Sequence, residues 1–129
     1  MKRLAGWLLQ ACLAMPAMAV DRVDTVFPQQ LSARTLMTYC ASSSLTDRGR
    51  QQQRYCAGFV SGIEEAIRLL HIGSPPSPSL SLCVPANASA RQFQEAFVRH
   101  AGRPGTDLDQ PAALVTVKAL QAAFPCLTD

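Results

Sequence analysis

The sequence predicts an all-α protein, a small four-helix bundle stapled by two disulfides. Apolar residues recur at three- and four-residue steps in four separate segments, as in amphipathic helices, and no segment alternates apolar and polar residues as a half-buried strand does. Beyond residue 19 the chain carries an even number of cysteines, as small exported domains with disulfides do. These are Cys40, Cys56, Cys83 and Cys126. A chain of 129 residues is long enough for one compact domain.

Residues 1–19 have the features of an export signal. A basic start precedes a short apolar stretch, and residues 17–19, AMA, have the small-x-small pattern that signal peptidase accepts. The stretch is too short to span a bilayer core of roughly 30 Å. We therefore predict a signal peptide at 1–19 and a mature domain at 20–129 that has no membrane span. An alternative interpretation is a lipoprotein acylated at Cys12.

The net charge of +3 belongs largely to this leader. The chain has 12 Lys and Arg residues, and losing Lys2 and Arg3 with the leader leaves ten, against nine Asp and Glu residues. Nucleic-acid binding needs a strongly basic face that displaces counterions from phosphates. A nearly neutral mature domain therefore predicts no nucleic-acid partner.

The first two helices are predicted at about residues 30–43 and 49–71. Ser32 is a suitable N-terminal cap for the first, and Gly73 and the prolines after it end the second. The solvated side of the second helix is predicted to include Glu64 and Arg68. Its inward face is predicted to comprise Cys56, Phe59, Val60, Ile63, Ala66, Ile67 and Leu70.

Residues 73–81 contain three prolines and four serines, which predicts an exposed, locally stiff loop because proline fixes the backbone and cannot donate a ladder hydrogen bond. The third helix is predicted to begin after Ser89, which forms a capping box with Gln92. The fourth is predicted at about residues 110–123, with Asp109 as its cap. Its inward residues are predicted to be Ala113, Leu114, Val117, Leu120 and Phe124.

Four cysteines allow three disulfide connectivities. An antiparallel hairpin of the first two helices would bring Cys40, near the end of one, to Cys56, near the start of the next. Cys83 and Cys126 then pair by elimination. The cysteines form no C-x-x-C pair, so a zinc site is not expected, and we predict no metal and no cofactor.

The sequence does not predict an enzyme. A cysteine nucleophile needs a free thiolate beside a base, whereas the mature cysteines are assigned to disulfides. The chain also lacks the G-x-S-x-G turn, the phosphate-binding loop and the H-E-x-x-H helix.

Three blocks of sequence resemble the Tai/Rap-type immunity proteins. Residues 56–66, CAGFVSGIEEA, resemble that family's C-x-G-Y-x-x-G-x-x-D-A signature, with Phe59 and Glu65 in place of its Tyr and Asp. Residues 83–85, CVP, resemble its C-x-P segment, and residues 119–126, ALQAAFPC, match its A-L-x-x-A-F-P-C ending. The resemblance covers about residues 31–126.

This resemblance implies a periplasmic immunity protein. Members of the family protect bacteria from peptidoglycan amidase toxins delivered by type VI secretion, so the implied partner is a papain-like amidase whose catalytic cleft the protein blocks. The resemblance also implies a homodimer, for which the exposed side of the second helix is the expected surface. The alternative is a periplasmic helical chaperone or housekeeping binding module without a toxin partner.

Two groups of residues are candidates for specific roles. The proline-containing loop is preorganised and should lose little entropy on docking, which makes Ser74, Ser77, Ser79, Leu80 and Leu82 the predicted partner-binding residues. The motif blocks supply the predicted scaffold residues, Gly58, Phe59, Gly62, Glu65, Phe124 and Pro125. Among these, the two glycines are interpreted as sites of close helix approach inside the bundle rather than as ligand contacts.

Overall fold

The computed structural model describes residues 30–72 and 77–126. Within these ranges the chain forms α1 (Ala33–Cys40), α2 (Asp47–Leu70), α3 (Ala90–Ala101) and α4 (Ala112–Ala123), with one 3₁₀ turn at Pro78–Leu80 between α2 and α3. The described residues contain no strand, so the predicted four-helix, all-α fold is confirmed. The predicted signal peptide, Cys12 and Ser74 lie outside the described residues.

Side-chain caps explain where three of the helices begin. The Ser32 hydroxyl accepts a hydrogen bond from the Thr35 N–H before α1, and Thr46 does the same for Gly49 before α2. Ser89 and Gln92 form the predicted capping box before α3. Each cap satisfies a backbone donor that has no partner inside the helix.

The start of α4 differs from the prediction. Asp109 is not its cap, because the residue at the cap position is Pro111, which makes no side-chain capping bond. The Asp109 carboxylate instead accepts a hydrogen bond from Nε of Arg34 at 3.0 Å. The segment before α4 lies antiparallel to the start of α1, where the Ala33 N–H donates to the Gln110 carbonyl at 2.9 Å. Backbone pairing therefore fixes this end of the bundle.

The four helices share one apolar core. Its largest fully buried side chains include Leu36 of α1, Val60 of α2, Phe97 of α3 and Leu120 of α4. Half-buried residues of the segment between α2 and α3, including Leu82 and Val84, pack against this core.

The core-facing residues of α2 differ from the prediction at three positions, and α4 turns a different face to the core. On α2, Glu64 is buried whereas Ala66 and Leu70 are exposed. On α4, Leu114 is 44% exposed and Val115 and Thr116 are buried in its place. The prediction for α2 placed the charged Glu64 in solvent and the apolar Ala66 and Leu70 inside. The prediction for α4 chose among several apolar faces, because α4 is apolar on most of its circumference.

The two disulfides join the predicted cysteines, Cys40 with Cys56 and Cys83 with Cys126. The first lies in the core between α1 and α2, where both cysteines are buried. The second ties the segment before α3 to the end of α4. Within the described residues, no helix combines the length and the apolar character that crossing a bilayer requires.

The interpretation of Gly58 and Gly62 as sites of close helix approach inside the bundle is wrong. Both are exposed, and a Cβ atom added at either one would meet no other atom within 4 Å. Close approach occurs instead at Gly49, where an added Cβ would overlap the carbonyl group of Ser43. The glycine that permits tight packing thus lies in the first turn of α2, outside the signature-like block.

Candidate functional site

The segment at residues 77–82 connects α2 to α3 and contains most of the predicted partner-binding residues. Its 3₁₀ turn is closed by a hydrogen bond from the Leu80 N–H to the Ser77 carbonyl at 2.9 Å. The hydroxyls of Ser77 and Ser79, both exposed, lie 2.8 Å apart within hydrogen-bonding distance. The turn therefore presents two serines to solvent in a defined backbone conformation.

Three bonds tie this segment, or Cys83 directly after it, to the end of α4 and the residues that follow it. Nε2 of Gln121 donates to the Ser79 carbonyl at 3.0 Å, and the Cys83 N–H donates to the Phe124 carbonyl at 3.0 Å. The Cys83–Cys126 disulfide adds a covalent link. We call residues 77–82 the anchored segment.

The predicted partner-binding residues have different environments within the anchored segment. Ser77 and Ser79 face solvent and Leu80 is half-buried. Leu82 is also half-buried and packs against the protein's own core, so its side chain is not free to fill a groove on a partner. A role for Ser77, Ser79 and Leu80 in binding stays a prediction.

The scaffold residues are partly in the core and partly on the surface. Phe124 is half-buried and contacts Phe93 edge to face, with ring centroids 5.7 Å apart. Phe59 is half-buried and stacks on Tyr55 at 6.4 Å. Glu65 and Pro125, like the two glycines, are exposed. The aromatic members therefore support packing, whereas the exposed ones are available to a second molecule.

A cavity of about 460 Å³ lies beside the anchored segment, between the C-terminal end of α2 and residues 82–88. Its polar lining residues come from α2 and its end: Glu64, Arg68 and His71. Its apolar wall includes Ile67, Leu82, Val84, Ala88 and Phe93. We call this the α2 cavity.

The electrostatics of the α2 cavity centre on Glu64. Its side chain is only 9% exposed, and Nε of Arg68 lies 3.8 Å from its carboxylate, too far for a hydrogen bond. The Arg68 side chain is 67% exposed. Nε2 of His71 is buried and has no hydrogen-bond partner among the described residues. The cavity thus contains the carboxylate of a largely buried glutamate and a buried imidazole nitrogen that has no hydrogen-bond partner.

Sequence reasoning placed Glu64 on the wrong side of α2 because the residue is charged. The spacing contains the correct signal, since Cys56, Val60 and Glu64 follow each other at four-residue steps and lie on one helical face. All three are buried. A glutamate spaced four residues from a buried valine on the same helical face is the pattern that indicates a buried glutamate side chain.

A second cleft, at the opposite end of α3, has a basic lining that includes His100, Arg103 and Lys118. Burial lowers the pKa of His100 below its usual range, and the positive charges of Arg103 and Lys118 lower it further. Nζ of Lys118 donates to Oε1 of Gln110 at 3.2 Å. The cleft therefore favours the neutral form of the His100 imidazole.

The described residues contain no group of three His, Cys, Asp or Glu side chains placed to hold a metal ion. The four cysteines between residues 30 and 126 are joined in disulfides, so this part of the chain offers no thiolate nucleophile. What the geometry offers is a rigid exposed turn next to a cavity with a buried acid, which suits binding.

Comparison with known families gave a match over most of the described residues. The family model described as Rap1a immunity proteins matches residues 32–126, a stretch that includes the four helices, both disulfides and the α2 cavity. Comparisons with curated proteins and with solved structures gave no match.

Proposed function

We propose that this chain, which belongs to the Rap1a immunity protein family, binds a peptidoglycan amidase toxin of a type VI secretion system and blocks its catalytic cleft in the periplasm. The observation that carries the proposal is the family match over residues 32–126. The amidase as target follows from the resemblance of the three sequence blocks. Binding, rather than catalysis, is the proposed activity.

The periplasm as the site of action is supported by the leader and by the disulfides. Residues 1–19 have the pattern of a cleavable export signal, which makes residues 20–129 the proposed mature protein. Disulfides persist in the oxidising periplasm and are rare in the reducing cytosol. The toxin's substrate, peptidoglycan, is in the same compartment.

The anchored segment is the proposed contact with the toxin. Its turn is closed by an internal hydrogen bond and tied to α4 by Gln121, so little conformational freedom remains to be lost on docking. The exposed hydroxyls of Ser77 and Ser79 offer hydrogen bonds, and Leu80 offers apolar area.

The test is protection of cells and direct binding. A peptidoglycan amidase toxin is exported to the periplasm of a susceptible host that also produces the full chain, which should restore growth. Replacing residues 77–80 with Gly-Ser-Gly-Ser should weaken binding to the purified amidase at least about tenfold, the effect of losing roughly 1.4 kcal/mol.

A matched control changes residues 44–45 to Gly-Ser. This pair lies before α2, at the opposite end of that helix from the anchored segment, and Leu45 is 88% exposed. The control should bind the amidase as the unaltered chain does. Absence of protection would contradict the immunity proposal, whereas protection with unchanged affinity in the 77–80 variant would contradict only the assigned surface.

A homodimer formed through the exposed face of α2 is part of the proposal. Gly58 and Gly62 leave this face flat enough for a second helix to approach closely, since nothing lies within 4 Å of an added Cβ. Replacing Gly62 with Arg should shift the species seen by analytical ultracentrifugation from dimer to monomer. A monomeric unaltered chain would contradict the dimer.

One observation favours a chaperone as the second candidate. Leu69, Leu70 and Ile72, at the end of α2, are exposed, and exposed apolar patches can bind unfolded clients. A chaperone should protect an aggregating client protein without any amidase present. Immunity predicts no such protection.

A further inference from the structure

We infer that the α2 cavity binds a lysine or arginine side chain of the partner protein, with Glu64 as the counter-charge. The identity of the partner as the toxin rests on the proposed function, whereas the chemistry of the cavity follows from this chain alone. The inference deepens the proposed function by naming a recognition element beside the anchored segment.

The buried carboxylate of Glu64 is the first reason. An ionised carboxylate accepts up to about four hydrogen bonds, yet none of the described residues donates one to Glu64, and its nearest cation, Arg68, is 3.8 Å away. A charge on a side chain that is only 9% exposed is stabilised poorly when no protein group donates to it. A guanidinium or ammonium group entering the cavity would supply the missing donors.

The wall of the cavity is the second reason. Ile67, Leu82, Val84 and Phe93 line it with apolar surface, which suits the aliphatic stem that lysine and arginine carry below their charged heads. A volume of about 460 Å³ accommodates one long side chain. An acid at an apolar-walled site is thus complementary to the whole side chain.

The position of Arg68 argues against an anionic occupant. Its side chain is 67% exposed and projects largely into water, so the group buried at the cavity is the acid. An anion in the cavity would be repelled by the Glu64 carboxylate, because the positive charge of Arg68 lies mostly in solvent and screens that repulsion little. Arg68 instead competes weakly with an entering cation, because a solvated ion pair at this distance stabilises little.

The location of the cavity connects it to the proposed binding surface. Leu82 belongs to the anchored segment and also lines the cavity. A partner that covers Ser77 and Ser79 therefore lies next to the cavity and can extend a basic side chain into it.

The experiment titrates the folded mature chain with butylguanidinium and, separately, with acetate, following backbone amide shifts by NMR. Butylguanidinium should give saturable shifts at Glu64, His71 and residues 82–88. Glu64→Gln should weaken this binding roughly tenfold or more, the usual effect of losing a charged hydrogen-bond acceptor. Glu65→Gln, which removes the same charge from the exposed face of the same helix, should leave it unchanged.

Arg68→Gln separates a cation site from an anion site. It should tighten butylguanidinium binding about two- to fivefold, because a weakly competing charge is removed. An anion site would instead show saturable acetate shifts that Arg68→Gln abolishes. That result would overturn the inference. So would a lack of butylguanidinium binding to the unaltered chain, or equal affinity for butylguanidinium in the unaltered chain and in Glu64→Gln.

Amidase binding then tests the role in the complex. Glu64→Gln should bind the amidase at least about fivefold more weakly than Glu65→Gln, since the partner's basic side chain loses its charged acceptor. Butylguanidinium binding in a chain that binds no amidase would leave the cavity chemistry intact and contradict the proposed function instead.

Discussion

Two glycines of α2 show how the same residue type serves different purposes at different positions. An added Cβ at Gly49 would overlap the Ser43 carbonyl, whereas one at Gly58 would meet nothing within 4 Å. Gly49→Ala should therefore destabilise the protein by about 1–3 kcal/mol through overpacking. Gly58→Ala should stabilise the monomeric chain, measured at concentrations too low for the proposed dimer, by about 0.5–1 kcal/mol, because alanine is the better helix former.

Urea unfolding of the two variants, followed by circular dichroism, measures both effects. Opposite signs are expected. A stabilised Gly49→Ala variant would show that the contact with Ser43 relaxes freely, and a destabilised Gly58→Ala variant would show that the face around Gly58 is occupied even in the monomer.

At the residue scale, the sequence predicted bonding partners better than it predicted burial. The Ser89–Gln92 capping box is local, the Cys40–Cys56 pair follows from a helical hairpin and the Cys83–Cys126 pair follows by elimination, and the structure confirms all three. Burial of Glu64 could not be inferred from residue type, because a charged side chain is normally solvated. The role of Leu82 also needed the structure, since only tertiary packing shows that it contacts the core.

At the level of elements, one side chain of α4 forms a hydrogen bond directly to the anchored segment. Gln121→Ala removes the hydrogen bond to the Ser79 carbonyl, so residues 77–80 should open more often. Hydrogen exchange at the Leu80 amide, which closes the turn, should become several-fold faster. The cost in global stability should stay near 0.5–1.5 kcal/mol, the usual net value of one hydrogen bond.

Gln94→Ala provides the matched control for this change. Nε2 of Gln94 donates to the Cys40 carbonyl at 3.2 Å, so the variant loses a bond of the same kind at another place. Its Leu80 amide should exchange as in the unaltered chain. Equal exchange rates in both variants would mean that the disulfide alone holds the segment.

The helix starts show which boundaries can be predicted from the sequence. Side-chain caps at Ser32 and Ser89 are local, and both helices begin where those residues indicate. The start of α4 is set by backbone pairing with the chain before α1, a contact between distant parts of the sequence. No local sequence pattern could have shown that Arg34 donates a hydrogen bond to the Asp109 carboxylate.

At the scale of the whole molecule, the fold class was predictable because helical periodicity and cysteine number are independent signals that agree. Four amphipathic segments need a shared core, and two crosslinks supply stability that a small core lacks. The α2 cavity was not predictable, since it arises where the end of α2 meets residues 82–88. The position of residues 82–88 against α2 depends on tertiary packing, which the local sequence does not show.

The two disulfides should have similar effects on stability and different effects on binding. Chain entropy assigns about 3 kcal/mol to the 16-residue separation and about 4 kcal/mol to the 43-residue separation. Cys40 and Cys56 are buried, so replacing both with alanine also removes packed sulfur atoms from the core, which offsets their smaller entropy effect. Each double alanine variant should therefore lose about 3–5 kcal/mol, a large part of a small domain's stability.

Binding separates the two variants because, of the two disulfides, only Cys83–Cys126 lies next to the anchored segment. Without it, the segment keeps only its hydrogen bonds to α4, and ordering it on docking becomes more costly. At a temperature where both variants remain folded, Cys83→Ala/Cys126→Ala should bind the proposed amidase partner more weakly than Cys40→Ala/Cys56→Ala, with faster exchange at the Leu80 amide. Equal affinities, measured by calorimetry alongside urea unfolding, would show that this bridge stabilises the fold without preorganising the contact surface.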